Sequence, residues 1–208
     1  MVDEATKKPE GGMHVSTNTQ ARTQGGVQAP PAGTWTIDPG HSSITITARH
    51  LMVSKVRGNL TDFEGTIQVG ERPEESSVEV SIDAASVNTS NPQRDEHMRS
   101  PDFLDVESFP KIEFRSTKTE LVGDNTLRVQ GDLTVRGITK PVVLDVEYLG
   151  VSIDPFGNTK SHFAATTELD REDWGMTWNM ALETGGVLVG KKLQVELDIQ
   201  AVHQKDEK

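Results

Sequence analysis

Six histidines, thirty-two carboxylates and no cysteine are the chemically competent inventory of this 208-residue chain. His14, His41, His50, His97, His162 and His203 form no HxH or HExxH pair, so their spacing matches no common metal site. The lack of cysteine excludes a disulfide framework, a thiolate nucleophile and any Cys-ligated zinc or iron–sulfur centre. Serines are scattered, with no G-x-S-x-G elbow. Asp95 and Glu96 beside His97 look like an acid/base cluster, yet adjacent helical positions point apart, and solvated helix surface is the simpler account. Gly185-Gly186 follows no strand-to-helix motif and reads as a loop. What remains is a cavity, and a cavity depends on the strands that enclose it.

Those strands are legible as period-two alternation, the mark of a half-buried sheet. In LRVQGDLTV, Leu127, Val129, Gly131, Leu133 and Val135 share one face. After the turn Arg136-Gly137-Ile138-Thr139, the returning run puts Val142, Leu144, Val146 and Tyr148 on one face, with Pro141 near its start. The two runs make a long hairpin over 127–149. Upstream, TWTID begins the alternation, Pro39-Gly40 is a turn, and Ile44, Ile46 and Ala48 share a face. Between Lys55 and Gly70 the apolar phase shifts from even to odd positions. One inserted residue near Thr61-Asp62 reconciles the two phases, as a β-bulge does. Val78, Val80 and Ile82 continue the pattern, KIEFRSTKTELV resumes it, and Ser161 to Asp170 carries it on. In the last strand Leu193, Val195, Leu197, Ile199 and Ala201 alternate without a miss. One interval, 88–106, is helical in character: Asn91 is an N-cap with Pro92 at the first helical position, and Ser100-Pro101 is a second start. Eight or nine mostly adjacent antiparallel strands with two short capping helices point to an all-β fold, an up-and-down barrel being the simplest closure and a sandwich the alternative.

Composition sets the bounds. Residues 1–33 lack aromatics, are rich in Gly, Thr, Gln and Pro, and read as a flexible N-terminal arm. Residues 34–203 form the folded domain and 204–208 a short tail. Only 34% of residues are hydrophobic, with three Trp, one Tyr and six Phe, so the core is built mainly of aliphatic side chains. A net charge of -11 argues against a nucleic-acid surface. No run of about 18 apolar residues marks a spanning helix, and the opening MVDEATKKPEGG has no apolar segment of a secretory leader, so a cytoplasmic location is expected. Eight strands enclose room for side chains or for one small ligand. Gly58, Gly65 and Gly131, placed inward, would leave space; composition does not decide between a filled core and an apolar ligand site.

The ordered string Trp35-Thr36-Ile37-Asp38, His41-Ser42, His50, Gly58 and Phe63-Glu64-Gly65 resembles the first half of the YceI-like family. The resemblance continues through Arg94, His97, Arg99-Ser100, Asp102-Phe103-Leu104-Asp105, Pro110-Lys111-Ile112, the segment Gly131 to Val142 and Arg171-Glu172-Asp173-Trp174-Gly175-Met176. It covers about 34–203. It implies an elongated antiparallel eight-stranded lipocalin-like barrel that holds an isoprenoid lipid, a polyprenyl phosphate or a quinone tail, often as a homodimer. It also implies that His41, His50, Arg94 and His97 lie near a polar head group. Leu104 stands where the family has an aromatic, and Trp174 where it has Phe; many members are exported.

Together these readings lead us to expect a non-enzymatic protein that binds, stores or carries an isoprenoid-type lipid, with no cofactor, metal, nucleic-acid partner or membrane-spanning segment. Ile44, Ile46, Leu133, Val135, Leu144, Val146, Leu197 and Ile199 are the expected interior set. Phe103, Phe109, Trp174, Met176 and Trp178 are expected at the cap and mouth. A lipid hydrolase or isomerase using His97, and a stress-related interaction module with a filled core, are the alternatives.

Overall fold

Alternating side chains fix which face of each strand is dry, and the register then decides whether the dry faces meet. In the computed structural model they meet all the way round. It describes residues 22–24, 27–183 and 185–204. In chain order the elements are β1 (Arg22–Gln24), β2 (Val27–Ala29), β3 (Gly33–Ile37), β4 (Ser43–His50), β5 (Ser54–Leu60), β6 (Phe63–Val69), β7 (Ser77–Asp83) and β8 (Val87–Asn88). There follow α1 (Pro92–Arg99), β9 (Lys111–Leu121), β10 (Thr126–Val135), β11 (Ile138–Ile153), β12 (Thr159–Asp170) and β13 (Val189–His203).

The sheet closes because β13 is paired on both edges. One edge meets β12 from Lys160↔Val202 to Asp170↔Lys192. The other meets β4 first (Val189↔His50 to Asp198↔Ser43) and then β3 (Ala201↔Ile37 to His203↔Trp35). Thus β3 and β4 form one lane interrupted by the 3₁₀ turn Pro39–His41. Next to them β5 pairs with β4 and β6 with β3, so 54–69 is a second lane, interrupted at Thr61-Asp62. The phase change read from the sequence is therefore a real break in a long bent strand. From β6 the order runs β7, β9, β10, β11 and β12, every pairing antiparallel, which makes a closed eight-stranded up-and-down barrel.

The connection from β7 to β9 holds α1, the α-helix among the described residues. Asn91 caps it, its side chain accepting from the Arg94 N–H, and Pro92 opens it. The expected second helix at Ser100-Pro101 does not form. Instead Phe103 and Asp105 N–H groups both donate to the Ser100 carbonyl, and Asp105 takes a positive φ of 49°, so the chain winds through tight turns. Of the expected arm over 1–33, most lies outside the described residues. Its last part pairs β1 with β2 as a separate two-stranded ribbon, and Gly33 already belongs to β3.

The core is mostly aliphatic, as composition demands, with Trp35, Phe63, Phe103, Phe114 and Trp174 buried among Ile, Leu and Val. Trp35, 0% exposed, donates through Nε1 to the Pro31 carbonyl and ties the start of β3 across one end of the barrel. The three inward glycines do not open space as expected: a Cβ on Gly58 would lie 2.8 Å from the Thr89 methyl. A Cβ on Gly131 would lie 2.4 Å from the Phe114 ring, and one on Gly65 would lie 2.7 Å from Ile37. Those neighbours occupy the room, and the pairing of β10 with β9 shifts register at Gln130/Gly131.

Gly131→Ala is therefore expected to destabilise the barrel by about 1–3 kcal/mol through overpacking against Phe114 and the Arg115 carbonyl. Urea denaturation checks this: the midpoint should fall while the slope stays unchanged.

Candidate functional site: an apolar cavity along the barrel

Inward positions of successive strands form continuous rows. Following the registers, Leu121 opposes Leu127, Leu127 opposes Val146, Val146 opposes Ala165, and Ala165 opposes Leu197. Leu197 in turn opposes Ile44, which opposes Leu60. All seven line a cavity of about 500 Å³. That volume falls within the roughly 300–1,000 Å³ of small-molecule sites. Small residues help to make the room, Ala48 and Ala165 lining it, whereas a Cβ on Gly58 would meet the Thr89 methyl at 2.8 Å. The lining spans the barrel's length, from His50, Arg94, His97, Trp178 and Leu188 near one end to Asn125, Tyr148 and Phe163 near the other.

Fifteen of the seventeen residues expected at the site line this cavity: Ile44, Ile46, His50, Arg94, His97, Phe103, Leu133, Val135, Leu144, Val146, Trp174, Met176, Trp178, Leu197 and Ile199. Two do not. His41 sits on the outer 3₁₀ turn between β3 and β4, its ring bonded to Asp38 at 2.9 Å and its side chain 65% exposed. Phe109 packs outside, its ring 2.8 Å from where a Cβ on Gly137 would stand, under the β10–β11 turn. Alternation could not place either, because each lies outside the strands, where the period-two rule has no force.

The first end carries most of the cations. Arg94 donates from Nε to Thr89 Oγ1 at 2.7 Å and from Nη2 to the Thr89 carbonyl at 2.8 Å. Thr89 is in turn held by Asp95, which accepts its N–H at 2.7 Å and its hydroxyl at 2.5 Å. The Thr89 hydrogen bond is the main reason the Asp95 carboxyl titrates below its ordinary value, despite burial. Asp95 is thus a buried brace that fixes Thr89 for Arg94, not the solvated surface residue expected from sequence. His97 bonds Asp102 at 2.9 Å and meets the edges of Phe103 and Trp178, ring centres 5.0 and 4.6 Å away. The three rings form one aromatic wall at the cavity's end. Ser100 Oγ donates to the His97 carbonyl, so this nearby hydroxyl is engaged away from the ring.

Arg171 is the lining residue that sequence reasoning overlooked most. An arginine following a strand reads as surface, yet this one is 2% exposed. Its guanidinium donates to the carbonyls of Gly190 and Val189, at 3.1 and 3.4 Å, and to that of Met176. Burial pushes its pKa down, offset by the charges of Glu172 and Asp170. Satisfying three carbonyls, it pins the 171–190 segment across the barrel end. At the other end Tyr148, 3% exposed, and Ser161, 0% exposed, bury hydroxyls without a hydrogen bond of good geometry. Burial raises the Tyr148 phenol, moderated by the nearby Ser161 hydroxyl. Among the described residues no group of three or more His, Asp or Glu could hold a metal, and no helix is long and apolar enough to cross a membrane.

An antiparallel barrel enclosing an apolar cavity with a few polar groups at its ends defines a lipocalin-like architecture. The YceI-like domain model matches residues 35–201, and the chain belongs to that family. A UPF0312 protein of Staphylococcus aureus strain N315 is 39% identical over 165 residues, which cover 78% of this chain and 93% of that one. Among solved structures, the Campylobacter jejuni YceI protein is 28% identical with a TM-score of 0.65, covering 76% of this chain and 90% of that one. Burkholderia cenocepacia BcnA has a TM-score of 0.68 at 18% identity, covering 79% and 98%. A polyisoprenoid binding domain from Saccharophagus degradans has a TM-score of 0.60 at 12% identity, covering 82% and 98%. The last two share the fold.

Two substitutions test the ends of the cavity. Asp95→Asn is expected to cost about 1–3 kcal/mol by weakening a charge-assisted bond. Because the folded carboxyl titrates low, its contribution is complete above about pH 4 and lost as pH falls further, so the variant should show a shallower acid limb in thermal denaturation. Tyr148→Phe removes an unsatisfied hydroxyl and should raise the melting temperature of the ligand-free protein slightly, by the equivalent of about 1 kcal/mol or less.

Proposed function

We propose that this protein is a non-enzymatic carrier that holds an isoprenoid-type lipid, a polyprenyl phosphate or an isoprenoid quinone, in the barrel cavity. The observation that carries the reading is the continuous apolar row from Leu121 round to Leu60, enclosing about 500 Å³. An apolar chain placed there gains roughly 0.8 kcal/mol per buried methylene-sized group, with little polar recognition. Membership of the YceI-like family supports the reading. The same fold in the Saccharophagus degradans polyisoprenoid binding domain is compatible with it. In this reading the chain enters between the inward faces, and His50, Arg94 and His97 lie nearest the head group. The filled-core alternative is disfavoured by the cavity itself. For the lipid-hydrolase alternative, His97 does have a carboxylate partner in Asp102, but that pair orients the ring against Phe103 and Trp178.

Native mass spectrometry of the purified protein, followed by solvent extraction, tests the proposal. A stoichiometric adduct that extraction removes, with a mass built from five-carbon units, is expected; the same spectrum reports whether the protein is the expected homodimer. Ala165→Leu, whose added side chain enters the cavity, is expected to reduce the loaded fraction severalfold while the ligand-free protein melts close to the parent. A bare polypeptide that takes up no added prenyl lipid, or turnover of a bound lipid, would overturn the carrier reading.

A further inference from the structure

The hairpin that joins β4 to β5 is built against local preference. The Val53 N–H donates to the His50 carbonyl at 3.2 Å, and the two central residues, Leu51 and Met52, both have positive φ, 53° and 62°. Such a turn favours Asn-Gly, because bulky residues are strained in the left-handed region. Here the strained positions carry large apolar side chains and display them: Leu51 is 44% exposed, Met52 51% and Val53 82%. The neighbouring hairpin over 179–190 extends the patch. The Leu51 N–H donates to the Leu188 carbonyl at 2.8 Å, the Leu188 N–H donates to the Met180 carbonyl at 2.9 Å, and Met180 is 56% exposed. Met52 packs over Gly186, 3.1 Å from where a Cβ would stand.

Behind this tip lies a collar of unneutralised charge. Arg49 and Lys55 are direct cross-strand partners, and Arg57 is the next outward residue on β5, opposite Thr47. Like charges directly opposite each other destabilise a ladder. All three are exposed, and none pairs with a carboxylate among the described residues, in a chain of net charge -11. Glu183 is the one carboxylate between Asn179 and Gly190, so residues 49–57 and 179–190 together carry three Lys or Arg against one carboxylate. The same hairpin borders the cavity, since Arg49, His50, Leu188 and Val189 belong to its lining. The opposite end differs. Ile153 and Phe156 are exposed there too, but the cation between them and the barrel, Lys160, faces Asp38 at 3.4 Å and Asp154 at 3.8 Å.

We propose that the Leu51-Met52-Val53 tip, with Met180 and the Arg49–Lys55–Arg57 collar, is a docking surface for a bilayer carrying anionic phospholipid headgroups. The apolar tip enters the headgroup boundary while the collar meets phosphates, which sets the cation-rich end of the cavity against the lipid. Docking goes beyond the cargo reading and stands whichever lipid the cavity holds.

The test is co-sedimentation of the full chain with phosphatidylcholine vesicles, with and without phosphatidylglycerol, at low and high salt. Binding to the phosphatidylglycerol vesicles that weakens with salt is expected. Lys55→Gln should lower the affinity about fivefold, the effect of one cation near an anionic surface. Val53→Asp, at the most exposed position of the tip, should abolish it, with both variants melting like the parent. Absence of vesicle binding, or equal binding by both variants, overturns the proposal. So does a dimer that Val53→Asp dissolves in sedimentation velocity without vesicle binding, since the tip then serves a second copy of the chain. The vesicles contain no prenyl lipid, so failure here and failure of the cargo reading are separately visible.

Discussion

Everything in this structure depends on β13 being paired along both edges. A sheet left open between β12 and the β3–β4 lane would expose two rows of unpaired N–H and C=O groups. Its inward Val, Leu and Ile would then face water. Closure removes both penalties together and creates the space that no single hairpin has. Two lanes of the closed sheet are interrupted, at 38–42 and at 61–62, and β13 pairs first with β4 and then with β3 across the first of these breaks.

One end of the barrel is then held by polar groups whose work is structural before it is functional. Arg171 donates to the carbonyls of Met176, Val189 and Gly190, three backbone acceptors where the irregular 171–190 segment crosses the barrel end. Asp95 braces Thr89, and Thr89 braces Arg94. The result is an asymmetric cavity, dry along its length and cationic at one end, beside an apolar tip of unusual backbone.

Much of the fold was legible beforehand, for a physical reason. Period-two alternation encodes burial directly, so the inward sets on β10, β11 and β13 and the break at Thr61-Asp62 could be read off the letters. The capped start of α1 was equally local, Asn91 followed by Pro92. Failures fell where local rules lose force. His41 and Phe109 sit outside the strands, the second helix start at Ser100 dissolved into tight turns, and the room expected at Gly58, Gly65 and Gly131 was taken by Thr89, Ile37 and Phe114.

By itself, then, the sequence determined the class: an antiparallel all-β fold with one dry face, acidic overall, with a family pattern through most of its length that implies a barrel. Strand alternation is a local property and survives any arrangement of neighbours. Only the tertiary structure decided that the interior is hollow, because emptiness depends on which side chains from distant strands reach the same point. The burial of Arg171, the brace between Asp95 and Arg94, and the juxtaposition of Met52 with Gly186 and of Arg49 with Lys55 were settled in the same way, by register and closure.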